Sequence, residues 1–303
     1  MTPEQKLFMP LILDGKKISQ EIQLEIKTEI DLLKTAGKKI PHLAAVLVGN
    51  DGASTTYVQS KIRLCNAVGM LSTFKHLPES ISEKELLKVV RELNDDDNIN
   101  GFIIQLPLPK HINETNIIEA IDPRKDADGF HPVNLGRMQL GLPAFVSATP
   151  AGIVTLLERY HVETSGKHCV IIGRSNIVGT PLSILLSRNS DPGNCTVTLC
   201  HSRSKDLKKI CLQADILIAA IGKPEFVTAD MVKEGVIVID VGISRVDADN
   251  AKGYLIKGDV KFDEVAPKCS AISPVPGGVG LMTVISLLMN TMKAYKNQSG
   301  KIN

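Results

Sequence analysis

The sequence predicts an α/β protein of two domains, with a mostly parallel sheet in the first. Three observations carry that expectation. Between residues 18 and 109, short apolar runs closed by glycine or proline alternate with segments of helical period. A second series of such runs follows between 168 and 242. The 303 residues exceed a comfortable single core.

Each element has its own signal. Ile18, Ile22, Ile26, Ile30 and Leu33 recur at helical spacing, and Gly37 closes that helix. HLAAVLVG, 42–49, reads as a buried strand. Residues 53–68 return to helical spacing, with Gly69 at the end, and MLSTFKHL, 70–77, is a second strand. SEKELLKVVRELN, 82–94, opens on a serine with Glu85 three residues later, a capping-box pattern. GFIIQLPLP, 101–109, is a third buried strand that stops at prolines. Residues 122–150 are less periodic and read as a connection holding functional loops. A helix is expected at about 150–161, with Pro150 in its first turn. HCVIIG, CTVTLC, DILIAAIG and VIVIDVG are the strands of the second series, and 279–297 is a long apolar-periodic helix that packs back on the first domain.

Composition narrows the function classes. Hydrophobic residues make up 43% and charged residues 22%, and the formal net charge is +2, which gives no case for nucleic acid or membrane as the main partner. No apolar run reaches the ~18 residues that span a bilayer. MTPEQKLFMPLILDG lacks the layout of a secretory signal. The six cysteines form no CxxC pair and read as buried reduced thiols, so the expected compartment is cytoplasmic. The seven histidines show no ligand spacing, so no metal is expected.

HCVIIGRSNIVGTPL, 168–182, runs a buried strand into Gly173 and a helix from about Val178. A glycine turn between strand and helix aims backbone N–H groups and the helix dipole at a phosphate. The spacing departs from GxGxxG, with Ser175 at the middle position and Gly179 at the last, so a plain tight turn is the competing reading. The next strand ends TLCHSRS. Where an NAD site carries an acid for the ribose diol, this stretch has His201, Ser202 and Arg203, and Arg174 lies in the glycine turn. Cations and hydroxyls there accept a phosphate that an acid would repel, so the chemistry favours NADP over NAD.

TYVQSK sets Tyr57 and Lys61 four residues apart, on one helical face. A helical lysine is most often solvated. Gln105 follows an apolar strand, where a buried amide needs partners, and lies at the carboxyl end, where open α/β sheets bind ligands. Asp128 in KDADG reads as a turn, because the remaining calcium-loop ligands are missing. PVPGGVG, 274–280, is either a hinge or a close approach of backbone to ligand.

Together and in this order, YVQSK, LNDDDNINGFIIQLPLP, KDADG, GRSNIVGTP and PGGVGLMT resemble the bifunctional methylenetetrahydrofolate dehydrogenase/methenyltetrahydrofolate cyclohydrolase family, from LILDGK at 11–16 to the last helix. The resemblance implies two α/β domains flanking a cleft, the C-terminal one Rossmann-like. It places a folate-binding catalytic domain at 1–148, completed by the helix 279–303, and an NADP-binding domain at 149–278. It implies a cytoplasmic homodimer in one-carbon metabolism and purine biosynthesis. Its activities are NADP-linked oxidation of methylenetetrahydrofolate and hydrolysis of the methenyl product to formyltetrahydrofolate. Residue by residue, it makes Lys61 the catalytic lysine, Gln105 its partner and Tyr57 the residue stacked on the folate. Asp128 holds the pterin, and Gly277, Gly278 and Leu281 border the folate. Arg174 and Ser202 take the NADP phosphate, with Gly173, Ser175, Val178, Gly179, His201, Arg203 and Ile243 completing the cofactor site. Because the methenyl product is cationic, Lys61 is expected to be neutral when it forms, and to serve as general base for the hydrolysis.

The chain departs from the family pattern at Ala148 and Ala151, where cysteine and lysine are common, and at Leu281, where proline is usual. Two alternatives remain at this stage: an enzyme with the dehydrogenase activity alone, and a non-catalytic folate- or nucleotide-binding protein.

Overall fold

The computed structural model describes residues 9–250 and 253–300. The chain divides into two compact units. One takes the chain up to Ser19 together with Thr149–Thr283, and the other takes Gln20–Ala148 with the chain from Val284 onward.

The first described element is a two-residue strand, β1 (Leu11–Ile12), followed by helix α1 (Gly15–Thr35). The expected stripe Ile18, Ile22, Ile26, Ile30 and Leu33 is buried. Then β2 (His42–Val48), α2 (Gly52–Val68), β3 (Leu71–Leu77), α3 (Glu83–Asp95) and β4 (Gly101–Ile104) alternate as the apolar runs predict. The three strands form a parallel sheet in the order β3-β2-β4. The central strand β2 is covered on both faces, which is why HLAAVLV is apolar throughout rather than alternating. On one face, Ala44, Val46, Phe102 and Ile104 meet Leu86, Val90 and Leu93 of α3 and Ile117 of the short helix α4 (Glu114–Glu119).

The stretch 122–150 is not all connection: it contains helix α5 (Pro132–Gln139). That helix has eight residues, and only Asn134 and Met138 are buried, too few to make a periodic signal. It starts where it does because His131 accepts from the Val133 N–H and Pro132 occupies the first turn.

Helix α6 (Ala148–Arg159) leads into the second series: β5 (His168–Ile172), α7 (Gly179–Ser187), β6 (Thr196–Cys200), α8 (Leu207–Cys211), β7 (Ile216–Ala219) and β8 (Val236–Asp240). An antiparallel hairpin, β9 (Ser244–Asp247) and β10 (Tyr254–Lys257), precedes α9 (Phe262–Val265), β11 (Cys269–Ile272) and the final helix α10 (Val279–Gln298). The parallel sheet has the order β1-β11-β8-β7-β5-β6. Strands β1 and β11 escape sequence reading, the first for its length and the second because CSAI is short and interrupted by a serine. Strand β1 pairs with β11 inside one compact unit, and the Leu13 N–H donates to the Ile272 carbonyl at 2.9 Å.

From β5 the chain steps to β6 on one side and then returns to β7 on the other. The carboxyl ends of β5 and β7 therefore form the topological switch point, where sheets of this kind open a ligand crevice. All six cysteines are buried and free. Among the described residues no helix is long and apolar enough to cross a membrane.

The expected capping box is present at α3: the Ser82 hydroxyl accepts from the Glu85 N–H, and the Glu85 carboxylate accepts from the Ser82 N–H at 2.9 Å. Ser82→Ala is expected to cost about 1 kcal/mol. Urea unfolding followed by circular dichroism measures it, and an unchanged midpoint would mean that the cap contributes nothing.

Candidate active site

The buried face of α2 is Ser54, Val58, Lys61, Cys65 and Val68, spaced alternately by four and three residues. Lys61 thus lies on the same stripe as the apolar residues facing the sheet, and it is only 8% exposed. Asp51 sets the start of this helix by accepting from the Ser54 N–H at 2.7 Å, and Gly69 in the left-handed region ends it. An amine in that position must find partners inside the protein.

The partners come from the carboxyl side of the sheet. Gln105 continues the β4 ladder, its N–H donating to the Val46 carbonyl at 2.9 Å. Its Nε2 donates to the Leu106 carbonyl at 2.7 Å, which leaves Oε1 to accept from Lys61 Nζ at 3.2 Å. Asp128 Oδ1 lies 4.0 Å from the same amine. Burial pushes the Asp128 carboxyl above the usual carboxylate range; the Lys61 amine opposes that shift and Asp126 reinforces it. Tyr57, one turn before Lys61, is 38% exposed. Lys61, Gln105 and Asp128 are therefore brought together, with Tyr57 on the open side of the helix.

Asp126, which sequence reading passed over, builds this corner. The segment 125–127 runs beside β4, with the Phe102 N–H donating to the Lys125 carbonyl at 2.9 Å. Asp126 then accepts from the N–H groups of Gly129, Phe130 and His131 and from Asn134 Nδ2. Its carboxylate is consumed by the turn, whereas Asp128, two residues on, points its carboxylate toward Lys61. The D-x-x-G spacing was the available signal, since an aspartate three residues before a glycine can accept from that glycine's N–H across a turn.

In the other unit, the Gly173 N–H donates to the Cys200 carbonyl at 2.9 Å, so the turn after β5 and the loop after β6 leave the sheet side by side. A Cβ on Gly173 would collide with the Ala220 carbonyl at the end of β7, and one on Gly179 would collide with the Gly173 carbonyl. Both glycines are required for the backbone to close between β5, β7 and the start of α7. Arg174 and Ser175 are exposed in the turn, and the Ser175 hydroxyl accepts from the Val178 N–H at 3.1 Å. Across from them, Ser202 and Arg203 are exposed in a turn tied by His201, whose N–H donates to Ser204 Oγ at 2.9 Å and whose Nδ1 accepts from the Arg203 N–H at 3.2 Å. The cations and hydroxyls expected at a phosphate thus line the ends of two neighbouring strands.

Gly277, Gly278 and Leu281 lie in this same unit, where α10 begins. The Gly277 carbonyl accepts from the Lys16 N–H at 2.9 Å, and Gly278 packs on Gly15 closely enough to exclude a Cβ there. Ile243 packs on Gly280, where a Cβ would come within 2.7 Å of its Cδ1. Ile243 is therefore brought to the glycine run, with Leu281 40% exposed beside it. Two buried carboxylates also escaped the sequence. Asp240, at the end of β8, accepts from the N–H groups of Gly242, Asp259 and Val260, and burial pushes it up to about 6 against those three bonds. Asp259 accepts from the Ile221 and Gly222 N–H groups.

A parallel sheet whose switch point is closed by a glycine turn places this unit in the dinucleotide-binding class of α/β proteins. The comparison with known proteins is more specific. Residues 13–128 match the family model for the tetrahydrofolate dehydrogenase/cyclohydrolase catalytic domain, and residues 147–299 match that for the tetrahydrofolate dehydrogenase/cyclohydrolase NAD(P)-binding domain. The chain belongs to the tetrahydrofolate dehydrogenase/cyclohydrolase family. It is 62% identical to the bifunctional protein FolD of Cytophaga hutchinsonii, over 93% of this chain and 98% of that one. The crystal structure of the bifunctional enzyme FolD from Campylobacter jejuni superposes with a TM-score of 0.89 at 47% identity, covering 94% of this chain and 98% of that one. The Trypanosoma brucei methylenetetrahydrofolate dehydrogenase-cyclohydrolase, solved with NADP cofactor and inhibitor, gives a TM-score of 0.91 at 34% identity, covering 96% and 99%.

Gly179→Ala is expected to weaken dinucleotide binding by roughly tenfold or more, since the added methyl must displace the Gly173 carbonyl. Gly136→Ala, with nothing within 4 Å of the new Cβ, should leave it unchanged. Fluorescence titration with NADP on both variants decides, and equal affinities would remove the turn from the binding site.

Proposed function

We propose that this chain oxidises methylenetetrahydrofolate with NADP and hydrolyses the methenyl product to formyltetrahydrofolate. The observation that carries this reading is the placement of Lys61 on the buried stripe of α2, in contact with Gln105 and facing Asp128. A solvated surface lysine has no need of those neighbours.

In this reading Asp128 offers its carboxylate to the amino edge of the pterin, and Tyr57 stacks on the folate ring from the open side of α2. Gly277, Gly278 and Leu281 border the folate, and the Ala148, Ala151 and Leu281 departures leave every polar catalytic group in place. The fit for NADP is the glycine turn: Gly173, Ser175, Val178 and Gly179 shape it, and Arg174, Ser202, Arg203 and His201 suit a phosphate on the ribose. Ile243 supplies an apolar wall. The oxidised nucleotide supplies the hydride acceptor. Holding the folate carbon in place for that transfer is a positioning task, which falls to Tyr57 and Asp128.

The methenyl product carries a delocalised positive charge. Lys61 then acts through its free amine, taking a proton from the water whose oxygen bonds to the methenyl carbon. One carbon–nitrogen bond breaks, that nitrogen takes a proton, and the formyl group remains. Gln105 aims the amine, since its own orientation is locked by the bond from Nε2 to Leu106.

The formyl product serves purine biosynthesis, and we place the chain in the cytoplasm as a homodimer. The exposed edge of β3 supports a second copy there: Leu71 and Phe74 are 51% and 42% exposed on a strand with an open side.

Lys61→Met should lower methenyl hydrolysis by roughly a hundredfold or more while the hydride step loses less than about tenfold. Steady-state assays of both activities test this, and equal losses would sink the general-base role. Arg174→Ala should weaken NADP by roughly tenfold and leave NAD nearly unaffected. Cofactor titrations that show an unchanged preference would take Arg174 off the phosphate.

A further inference from the structure

The crevice at the switch point has two walls. One is the glycine turn after β5, whose shape is written into Gly173 and Gly179. The other is the loop after β7. Its Ala220 carbonyl abuts Gly173, and the Ala220 N–H donates to the Ile172 carbonyl at 2.8 Å. Beyond Ala220 nothing in the local sequence explains why the loop holds its course.

The answer comes from a distant residue. Asp259 Oδ2 accepts from the Ile221 N–H at 2.7 Å and from the Gly222 N–H at 3.0 Å. Asp259 is fully buried. It arrives from the far side of the β9–β10 hairpin, and the same segment laces the rest of the loop: the Glu225 N–H donates to the Gly258 carbonyl and the Val227 N–H to the Asp259 carbonyl, each at 2.9 Å. The second oxygen, Oδ1, is buried with no hydrogen-bond partner among the described residues, and it presses on Gly242, where a Cβ would collide with it. Only Oδ2 of this buried side chain is satisfied, so what holds Asp259 in place toward the loop is the pair of bonds from Ile221 and Gly222.

We propose that Asp259 is a positioning residue of the dinucleotide site: it turns the Ile221 and Gly222 N–H groups inward and so holds the β7 wall of the crevice against the Gly173 turn. This rests on the NADP reading above. The two N–H groups it takes are withdrawn from any ligand, so phosphate is left to the β5 turn, where Arg174 and Ser175 stand exposed.

The test uses the full chain and NADP itself. Asp259→Ala removes the acceptor, and NADP affinity should fall roughly tenfold or more, with KM for NADP rising by more than kcat falls. Asp259→Asn keeps an oxygen that can accept both N–H groups, and its affinity should return to within about threefold of the unaltered protein. A general loss of packing would lower kcat and affinity together and would give no rescue. If the alanine variant fails to fold, amide hydrogen exchange on the unaltered protein decides, with slow exchange expected at Ile221 and Gly222. Unchanged NADP binding in a folded Asp259→Ala protein, failure of Asp259→Asn to rescue, or fast exchange at those two amides would overturn the role. If the unaltered protein itself does not bind NADP, the cofactor reading fails and this inference falls with it, a result separable from all the others.

Discussion

A lysine amine carried into the protein on an apolar helix stripe constrains everything around it. Val58, Cys65 and Val68 pin the sheet-facing side of α2, and the helix repeat then delivers Lys61 to the same side. The amine cannot reach water easily, so the surrounding structure must supply acceptors. It does so with groups of different strength, a neutral amide oxygen in contact and a carboxylate one step further off. Gln105 anchors the amine in direct contact, and Asp128 stands at 4.0 Å.

The KDADG corner shows how two like residues acquire different tasks from their positions alone. Asp126 is saturated by three backbone N–H groups and the Asn134 amide, so its carboxylate is structural. Asp128 lies two residues further on in the same turn, and its Oδ1 comes within 4.0 Å of the Lys61 amine. Burial acts against its ionisation and the amine acts for it. The stiffness of the Asp126 turn is what keeps that separation fixed.

Much of this was legible in the sequence, for identifiable reasons. Elements that bury one continuous run or one full helical stripe announce themselves, as β2, β4, α1 and α3 do. The glycine turn was legible because two positions admit no side chain. The elements that escaped are those whose stability comes from elsewhere: β1 exists only because β11 lies beside it, and α5 is held by a histidine cap and two buried residues. At the site, helical spacing placed Tyr57 and Lys61 on one face, but it could not show that Lys61 joins the buried stripe while Tyr57 stays 38% exposed. Asp240 and Asp259 carried no signal at all, since their partners are backbone N–H groups brought in by tertiary folding.

The two units meet their electrostatic demands by opposite means. The Lys61 unit uses few polar groups, buried and individually oriented. The other presents exposed cations and hydroxyls at the ends of two neighbouring strands, and a phosphate stays charged and needs donors rather than a tuned acid or base. Its buried carboxylates follow the same logic from inside. Asp240 and Asp259 gather five backbone N–H groups and set the course of the loops around the crevice.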